Sequence, residues 1–372
     1  MIWNWQKPDW PNFTFDKLAL VEWEAMFLRN SGYLSGTLAH IADEDKTLLT
    51  IDAMSEEALK TSEIEGEQLN RDSLQSSIRR NLGLAADSRK VKPAEQGIAD
   101  MMTDLYRHFA RPLTHKTLFN WHKLLMQGNH QIKDIGKYRT HTDPMQVVSG
   151  AMHKPKVHFE APPSQTVPAE MERFLAWFNN TAPNGKNPLP ALTRAGIAHL
   201  YFVCIHPFED GNGRIGRTLI VKSLLQNLDQ PLLIALSYTI QKHRKQYYEA
   251  LEKNNKDNAI TPWLLYFAKT VIEAQAYTQH LASFIVEKGK LYNRIKGQLN
   301  ERQEKALARM FEEGPDSFPF GLNAEKYIGI TGASRATATR DLQDMVDKGV
   351  FTRYGELKAT RYHLNISSKQ RE

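Results

Sequence analysis

The stretch HPFEDGNGRIGRTL, residues 206–219, fits three glycine-rich phosphate-binding patterns at the same time. Three of its glycines spell G-x-G-x-x-G, the pattern of dinucleotide-binding folds. The same segment spells G-x-x-x-x-G-R-T, a P-loop pattern with arginine in place of lysine. The third pattern begins before the glycines, at His206, and includes Asp210. The fold and the chemistry of the chain depend on which of the three applies.

The surrounding sequence argues against the first two patterns. Both require a β-strand immediately before the glycines. The preceding segment, ALTRAGIAHLYFVCI, is longer than most strands and repeats apolar residues every three to four positions, which is typical of a buried helix. The dinucleotide pattern also needs a second strand with an acidic residue about 20 residues on, and TLIVKSLLQNL has helical spacing instead. Neither pattern is supported by its context.

Composition sets broad limits on fold and partners. The chain has 372 residues, of which 41% are hydrophobic and 24% charged, with a net charge of +6 and a pI near 9.1. This length predicts about two or three domains. The single cysteine, Cys204, excludes an internal disulfide, and together with the absence of a recognisable secretion signal it leads us to expect a cytoplasmic protein without a membrane span. The mildly basic charge permits nucleic-acid binding without requiring it.

Helical periodicity covers most of the chain and predicts a mainly α fold. Two short β-like runs, at residues 147–148 and 157–159, predict a hairpin or flap. Towards the C-terminus, NERQEKALARMFEEG, NAEKYIGI and SRATATRDLQDMVDKG predict three short helices, and VFTRYGELKATRYHL predicts a two-stranded hairpin. This order is that of a winged helix-turn-helix whose third helix would be the recognition helix. A winged helix used for protein contacts or dimerisation is the alternative.

Residues 206–217 match H-P-F-x-D/E-G-N-G-R-x-x-R at every specified position. That pattern marks the Fic family of protein adenylyltransferases, which this chain resembles. The resemblance extends to the flap, the helices on both sides and YYEALEKNN, over roughly residues 95–285. It implies a Fic-type helical core with a β-hairpin flap at 93–287, preceded by an N-terminal helical region at 1–92 with an inhibitory helix at about 55–66. The winged-helix domain would occupy 288–372.

The resemblance implies transfer of AMP from ATP to a Ser, Thr or Tyr hydroxyl of a target protein or of the enzyme itself. His206 would be the general base that takes the hydroxyl proton. Asp210 would bind Mg²⁺, because one carboxylate is enough when substrate phosphates and water fill the other positions. Asn212 offers amide donors for the α-phosphate, and Arg214 and Arg217 would meet the outer phosphates. The nucleotide-binding residues implied within the motif are Asp210, Gly211, Asn212, Gly213, Arg214, Ile215, Gly216 and Arg217.

Further site residues are implied outside the motif. Tyr247, Tyr248 and Asn255 would border the adenine and ribose, whereas a tyrosine pair on an amphipathic helix is the alternative. The flap would clamp an extended segment of the target by β-augmentation, and an ordinary surface hairpin is the alternative. The implied flap residues are Val157, His158, Phe159 and Glu160.

The segment TSEIEGEQL, residues 61–69, resembles S/T-x-x-x-E-G/N, found in Fic members that inhibit themselves through an N-terminal helix. Thr61, Glu65 and Gly66 occupy the specified positions. The resemblance implies that Glu65 pairs with Arg217 and so occupies the cation that the γ-phosphate needs. The alternative is an ordinary helix end, with Gly66 as the capping residue and Glu65 as a solvated charge.

Other functions stay open on the sequence alone. Within the same fold, removal of AMP or transfer of another phosphate-linked group is an alternative, although the phosphorylating branch replaces the second half of the motif, which is intact here. An alternative from a different class is a DNA-binding regulator that binds nucleotide only as a signal. The intact His206 argues against this alternative, because a sensor has no need of a base. By the resemblance alone, a homodimer is expected.

Overall fold

The computed structural model describes residues 2–39, 41, 43–86, 90–129, 131–150, 155–229, 234–312 and 321–366. Within these ranges the chain is mainly helical, as predicted. The helices are α1 (Val21–Ala39), α2 (Asp43–Ile64), α3 (Arg71–Asn81), α4 (Pro93–His108), α5 (His115–Leu125), α6 (Val167–Asn180), α7 (Ala191–Ile205), α8 (Asn212–Leu228), α9 (Leu236–Lys242), α10 (Arg244–Asn254), α11 (Thr261–Arg294), α12 (Glu301–Glu312), α13 (Ala324–Thr331) and α14 (Arg335–Asp347). No helix of the described residues is long and apolar enough to cross a membrane.

The described residues pack as two compact units. The first comprises Met1–Tyr33 and Lys46–Ala276, and the second comprises Leu34–Asp45 and Tyr277–Glu372, each as far as its residues are described. The three-part division of the chain after residues 92 and 287, which follows from the family resemblance, stays a prediction. Helix α11 is continuous through residue 287.

Helices α7 and α8 lie in the first unit and carry the glycine-rich stretch between them. All residues of α7 except Val203 are buried, which explains why its apolar residues are not confined to one face. The segment before the glycines is therefore a helix, and the strand that the dinucleotide and P-loop patterns require is absent from it. Large aromatic side chains pack around this pair, and Phe202 and Phe208 are both fully buried.

The predicted flap is a hairpin of two strands. Strand β1 (Gln146–Ser149) pairs antiparallel with β2 (Lys156–Glu160), with Val147 opposite Phe159. The register shifts between Val147 and Val148, so the hairpin contains a bulge there. The hairpin prediction is confirmed, and both strands are slightly longer than the β-like runs in the sequence.

The second unit has a core of its own. Leu307 of α12, Tyr327 of α13 and Leu342 of α14 are fully buried together with Phe351 of β3 (Phe351–Tyr354). Strand β3 pairs antiparallel with β4 (Arg361–Leu364). Three helices followed by a hairpin is the order that the sequence predicted, and the assignment of this unit as a winged helix stays a prediction.

Candidate active site

Residues 206–211 form the turn between α7 and α8. His206 has a φ of 51° and Gly211 a φ of 79°, both in the left-handed region. For a histidine this conformation is strained and requires support from its surroundings. Arg139, which is 2% exposed, provides it: its Nε donates to the carbonyl of His206 at 2.8 Å, and its backbone N donates to the carbonyl of Pro207 at 2.9 Å. The backbone around His206 is thus fixed by a residue that the sequence did not single out.

Asn212 closes the same turn from inside. Its Oδ1 accepts from the backbone N of Phe208 at 3.0 Å, and its Nδ2 donates to the carbonyl of Phe208 at 2.8 Å. The ring of Phe208 stacks on His122, with 4.2 Å between centroids. Both polar atoms of the Asn212 side chain are thus used within the turn. Because the amide nitrogen carries a second hydrogen, the expected contact of Asn212 with the α-phosphate stays a prediction.

The imidazole of His206 is held in one tautomer. Its Nδ1 lies 3.2 Å from the carbonyl oxygen of Val203, and because a carbonyl only accepts, Nδ1 carries the hydrogen and Nε2 keeps the lone pair. Burial lowers the pKa of His206 to about 4, and the charge of Arg139 acts in the same direction. The ring is therefore neutral at physiological pH, the form in which a histidine accepts a proton.

The N-terminus of α8 is an anion-binding feature. No side chain caps it, since Gly211 stands at the capping position. Two buried donors on this helix also lack partners among the described residues: Nε of Arg214 and Nη1 of Arg217. Unused N–H groups on buried arginines, beside an uncapped helix N-terminus, are suited to phosphate oxygens.

Gly66 determines where Glu65 lies. Helix α2 ends at Ile64, and Gly66 follows with a φ of 88°. Its backbone N bonds the carbonyl of Glu63 at 3.0 Å, while that of Glu67 bonds the carbonyl of Ser62 at 3.0 Å, which is a Schellman motif. The inhibitory segment expected at about 55–66 is therefore the end of a longer helix plus its capping turn. Gly66 is indeed a helix cap, but Glu65 is not a free surface charge.

Glu65 binds Arg217 as the resemblance implied. Oε1 of Glu65 accepts from Nη2 of Arg217 at 2.7 Å, and Oε2 accepts from Oη of Tyr248 at 3.3 Å. Thr61 holds the same guanidinium through its hydroxyl at 2.7 Å and its carbonyl at 2.9 Å. Burial alone would raise the pKa of Glu65, but the charge of Arg217 and its hydrogen bond outweigh burial, and the pKa is lowered. The carboxylate is thus ionised and paired.

Glu65 also occupies the space over the start of α8. A Cβ atom placed on Gly213 would lie 2.2 Å from Oε1 of Glu65 and 3.1 Å from Nη1 of Arg217. Only a glycine at this position admits the carboxylate so close to the helix backbone. Glu65 therefore lies at the site that the helix N-terminus and Arg217 offer to an anion.

A second carboxylate, which the sequence analysis missed, binds the other arginine of the motif. Oε2 of Glu67 accepts from Nη1 of Arg214 at 2.7 Å, and Nη2 of Arg214 lies 3.4 Å from Oδ2 of Asp210. The side chain of Arg214 is 8% exposed and that of Glu67 is 36% exposed. The only signal in the sequence is the second acidic residue in EGE, two positions after Glu65.

Asp210 offers one accessible carboxylate beside the start of α8. Its side chain is 52% exposed at the mouth of the turn, and its Oδ1 accepts from the backbone N of Gly211 at 2.6 Å. Among the described residues no group of three or more His, Cys, Asp or Glu side chains could hold a metal. One accessible carboxylate fits Mg²⁺, which keeps several waters and binds through substrate phosphates.

Two positions expected to bind nucleotide also serve helix packing, and their contact with nucleotide stays a prediction. Ile215 is fully buried. A Cβ atom on Gly216 would lie 2.9 Å from Nδ1 of His199 on α7, so this glycine lets the two helices approach closely.

The residues expected around the adenine and ribose differ in exposure. Tyr247 is 2% exposed, and its Oη lies 2.8 Å from Nε2 of His199. Tyr248 is partly exposed and contacts Glu65. Asn255 is buried, and its Nδ2 donates to the carbonyl of His158 at 3.1 Å, which joins the end of α10 to the flap. Tyr247 and Asn255 thus shape the site from within, and Tyr248 is the accessible one.

The flap residues expected to bind a target form strand β2. Phe159 is buried, whereas Val157, His158 and Glu160 are partly exposed. Nδ1 of His158 lies 2.7 Å from Oε2 of Glu252 on α10. The flap is therefore anchored to the helix that carries Tyr247 and Tyr248.

Two family models match separate parts of the chain. Residues 112–224 match the model of the Fic/DOC family, and residues 3–84 match DUF4172, a domain of unknown function. The chain therefore carries a Fic domain over residues 112–224. The segment that contains Thr61, Glu65 and Glu67 belongs to the other match.

Particular relatives are named as adenylyltransferases. The chain is 35% identical over 98 residues to "Protein adenylyltransferase Fic" of Drosophila mojavensis, covering 26% of this chain and 18% of the fly protein. It is 28% identical over 142 residues to "Protein adenylyltransferase fic-1" of Caenorhabditis briggsae, covering 38% of this chain and 24% of the relative. The matches thus span less than a quarter of either relative.

Solved structures share the fold. A Fic family protein from Desulfovibrio desulfuricans G20 aligns with 97% of this chain and 99% of its own at a TM-score of 0.55 and 20% identity. A Fic domain containing signaling protein from Bacteroides thetaiotaomicron VPI-5482 aligns with 70% of this chain and 97% of its own at a TM-score of 0.52 and 18% identity. These similarities agree with the mainly helical fold.

Proposed function

We propose that this protein is an adenylyltransferase that transfers AMP from ATP to a Ser, Thr or Tyr hydroxyl of target proteins and of itself, and that Glu65 holds it in an inhibited state. The observation that carries the proposal is the neutral His206, with its lone pair on Nε2, next to an uncapped helix N-terminus and two arginines with unused donors. A base beside an anion site is what transfer of a phosphate-linked group to a hydroxyl requires.

The chemistry follows from this arrangement. The target hydroxyl gives its proton to Nε2 of His206 while its oxygen forms a bond to the α-phosphorus. The bond between the α-phosphorus and the bridging oxygen breaks, and pyrophosphate leaves. The backbone N–H groups at the start of α8 and the guanidinium of Arg217 would stabilise the negative charge on the phosphates. Asp210 would hold Mg²⁺, which neutralises phosphate charge when bound.

The inhibition follows from competition for one donor. Arg217 is 1% exposed, and its Nη2 already donates to Glu65. A γ-phosphate would have to displace that carboxylate from the arginine and from the space over Gly213. If ATP binds while Glu65 is in place, its γ-phosphate would lack the contact with Arg217. The α-phosphorus would then not be aligned with the attacking hydroxyl.

Glu67 extends this inhibition to the first arginine of the motif. While Arg214 is bound to Glu67 and lies near Asp210, it is drawn away from the phosphates. Glu65 and Glu67 stand on either side of Gly66, the residue that caps α2, so a movement of the end of α2 would release Arg214 and Arg217 together. Arg214 is more exposed than Arg217, and it is the carboxylate of Glu65 that lies over Gly213, so the effect of Glu67 should be smaller than that of Glu65.

Transfer is tested with ATP labelled in its α-phosphate and, in parallel, in its γ-phosphate. We expect the Glu65→Gly variant, incubated with cell lysate and Mg²⁺, to place the α-label on protein and to leave the γ-label in pyrophosphate. The Glu65→Gly/His206→Ala variant is the matched control and should give no label. Transfer of the γ-label would indicate a kinase, and no label in any arm would reject the proposed function in favour of nucleotide sensing.

DNA binding by the second unit is a second candidate function. Arg335 and Arg340 are both exposed on α14, the helix predicted to be the recognition helix. If this helix contacts DNA phosphates, binding should weaken steeply with salt. We expect Arg335→Ala/Arg340→Ala to lower affinity for duplex DNA in a gel-shift titration, while Lys116→Ala/Lys123→Ala on α5, with the same loss of charge, leaves it unchanged. No binding at low salt would leave the unit as a protein-interaction or dimerisation module.

A further inference from the structure

Three residues near the N-terminus contact three separate parts of the candidate site. Trp3, Asn4 and Trp5, which we call the N-terminal clasp, lie at a single helical turn, and residues 4–6 form that turn. Trp3 and Asn4 are buried, and Trp5 is partly exposed. Nothing in the mechanism above uses these three residues.

The tryptophans of the clasp hold strand β2 of the flap. Nε1 of Trp5 donates to the carbonyl of Glu160 at 2.7 Å. The rings of Trp3 and Phe159 meet edge to face, with centroids 5.4 Å apart. The clasp thus contacts two successive residues of β2, one through the backbone and one through the side chain.

Asn4 joins the clasp to the ends of α7 and α10. Its backbone N donates to the carbonyl of Asn255 at 2.9 Å, and its Nδ2 donates to Sγ of Cys204 at 3.2 Å. Cys204 lies two residues before His206. Asn4 is fully buried, and its Oδ1 accepts from the backbone N of Trp5 at 2.9 Å, so all of its side-chain polar atoms are engaged.

The outward edge of β2 is fixed at alternate residues. The backbone N–H of Ala161 donates to the carbonyl of Met145. Backbone N–H and C=O groups alternate in direction along a strand, so at this end of β2 those of odd-numbered residues point towards β1 and those of even-numbered residues point away from it. The two outward carbonyls are those of His158, which accepts from Asn255, and Glu160, which accepts from Trp5. The carbonyl of Asn255 accepts from the backbone N of Asn4, so both hydrogen bonds to the outward edge of β2 depend on the clasp.

We propose that the N-terminal clasp positions the flap relative to the His206 turn and thereby governs the use of the protein substrate rather than of ATP. The proposal rests on the proposed function, because it takes the flap as the element that binds the target segment. The clasp contacts the flap and the residues that precede His206, whereas the anion site is built by α8 and the end of α2. A residue that acts through the flap should therefore change the KM for the protein substrate and leave ATP binding intact.

The first test measures the flap directly. Trp5→Phe keeps an aromatic ring and removes only the N–H that binds Glu160. We expect hydrogen–deuterium exchange of the amides at residues 156–161 to become about fivefold faster, the factor that one ordinary hydrogen bond contributes to a local opening equilibrium. Trp3→Leu, which removes the ring contact with Phe159, should also speed exchange there. Trp177→Phe, in a partly exposed tryptophan of α6, is the control and should leave these amides unchanged.

The second test measures transfer between copies of this chain. A His206→Ala copy serves as the protein substrate, and Glu65→Gly and Glu65→Gly/Trp5→Phe serve as enzymes. We expect Trp5→Phe to raise the KM for the acceptor chain about fivefold, with kcat and the Kd for ATP within twofold of the parent.

Unchanged exchange at 156–161 in Trp5→Phe, or a parallel loss of ATP affinity, overturns the clasp proposal. Absence of transfer by Glu65→Gly itself overturns the proposed function instead, and the exchange measurement still decides whether the clasp holds the flap.

Discussion

Replacing Glu65 by glycine should increase self-adenylylation by about 10- to 100-fold. The carboxylate accepts a charge-assisted hydrogen bond from Arg217 and lies over Gly213, and such a bond contributes about 1.5–3 kcal/mol. Because about 1.4 kcal/mol corresponds to a factor of ten, its removal should improve productive ATP binding by that range. The initial rate of α-label incorporation measures the change.

Matched variants separate the loss of this contact from a general disturbance of α2. Glu63→Gln changes a neighbouring carboxylate that binds Lys60 and makes no ion pair with Arg214 or Arg217. This variant should transfer AMP at the wild-type level. Glu65→Gly/Arg217→Ala should lose the gain, because the freed cation is what the gain depends on. The single variant should also melt earlier without nucleotide, since Arg217 is left unpaired, and should be stabilised more by Mg-ATP than wild type. Equal labelling by wild type and Glu65→Gly would make Glu65 a structural residue only.

Replacing His206 by alanine in the Glu65→Gly background should lower transfer by about 10²- to 10⁴-fold, the usual contribution of a positioned base. The Kd for ATP, measured by calorimetry, should change little, because the ring acts on the target hydroxyl and the phosphates are held by α8. His108→Gln, which changes a partly exposed histidine at the end of α4, is the control and should retain the parent rate. Transfer by His206→Ala near the parent rate would reduce His206 to a structural residue.

The pH dependence of transfer provides a further check on His206. Only the neutral ring accepts a proton, and the pKa of His206 is lowered from 6.5 to about 4. A lowered pKa keeps the ring neutral as the pH falls through 6.5, so the rate of Glu65→Gly should stay level down to about pH 5 and decline towards pH 4. A decline centred on pH 6.5 would show that the base is an ordinary, solvated histidine.

The sequence predicted the parts of the fold that depend on local pattern. Helical spacing before the glycines correctly excluded the strand-based nucleotide folds, because α7 is buried on all sides and its apolar residues follow a helix. The two β-like runs correctly predicted the hairpin of β1 and β2. The motif placed Glu65 next to Arg217, because Gly66 fixes the end of α2.

Contacts between distant parts of the chain were not predictable in the same way. Arg139 supports the strained backbone of His206 across 67 positions, and Trp5 holds Glu160 across 155 positions. Asn212 also closes the turn that carries His206, a role that its place in the motif does not indicate. In the sequence Glu67 looks like any solvated surface charge. Its role is visible only in the structure, where it accepts a hydrogen bond from Arg214.

The most direct measurement of the central claim is the intact mass of the Glu65→Gly protein after incubation with Mg-ATP, with wild type and Glu65→Gly/His206→Ala alongside. The account predicts that Glu65→Gly gains the mass of one or more AMP groups, that wild type gains far less, and that the double variant gains none. A gain equal to a phosphate group, or AMP on wild type and Glu65→Gly in equal amounts, would contradict it.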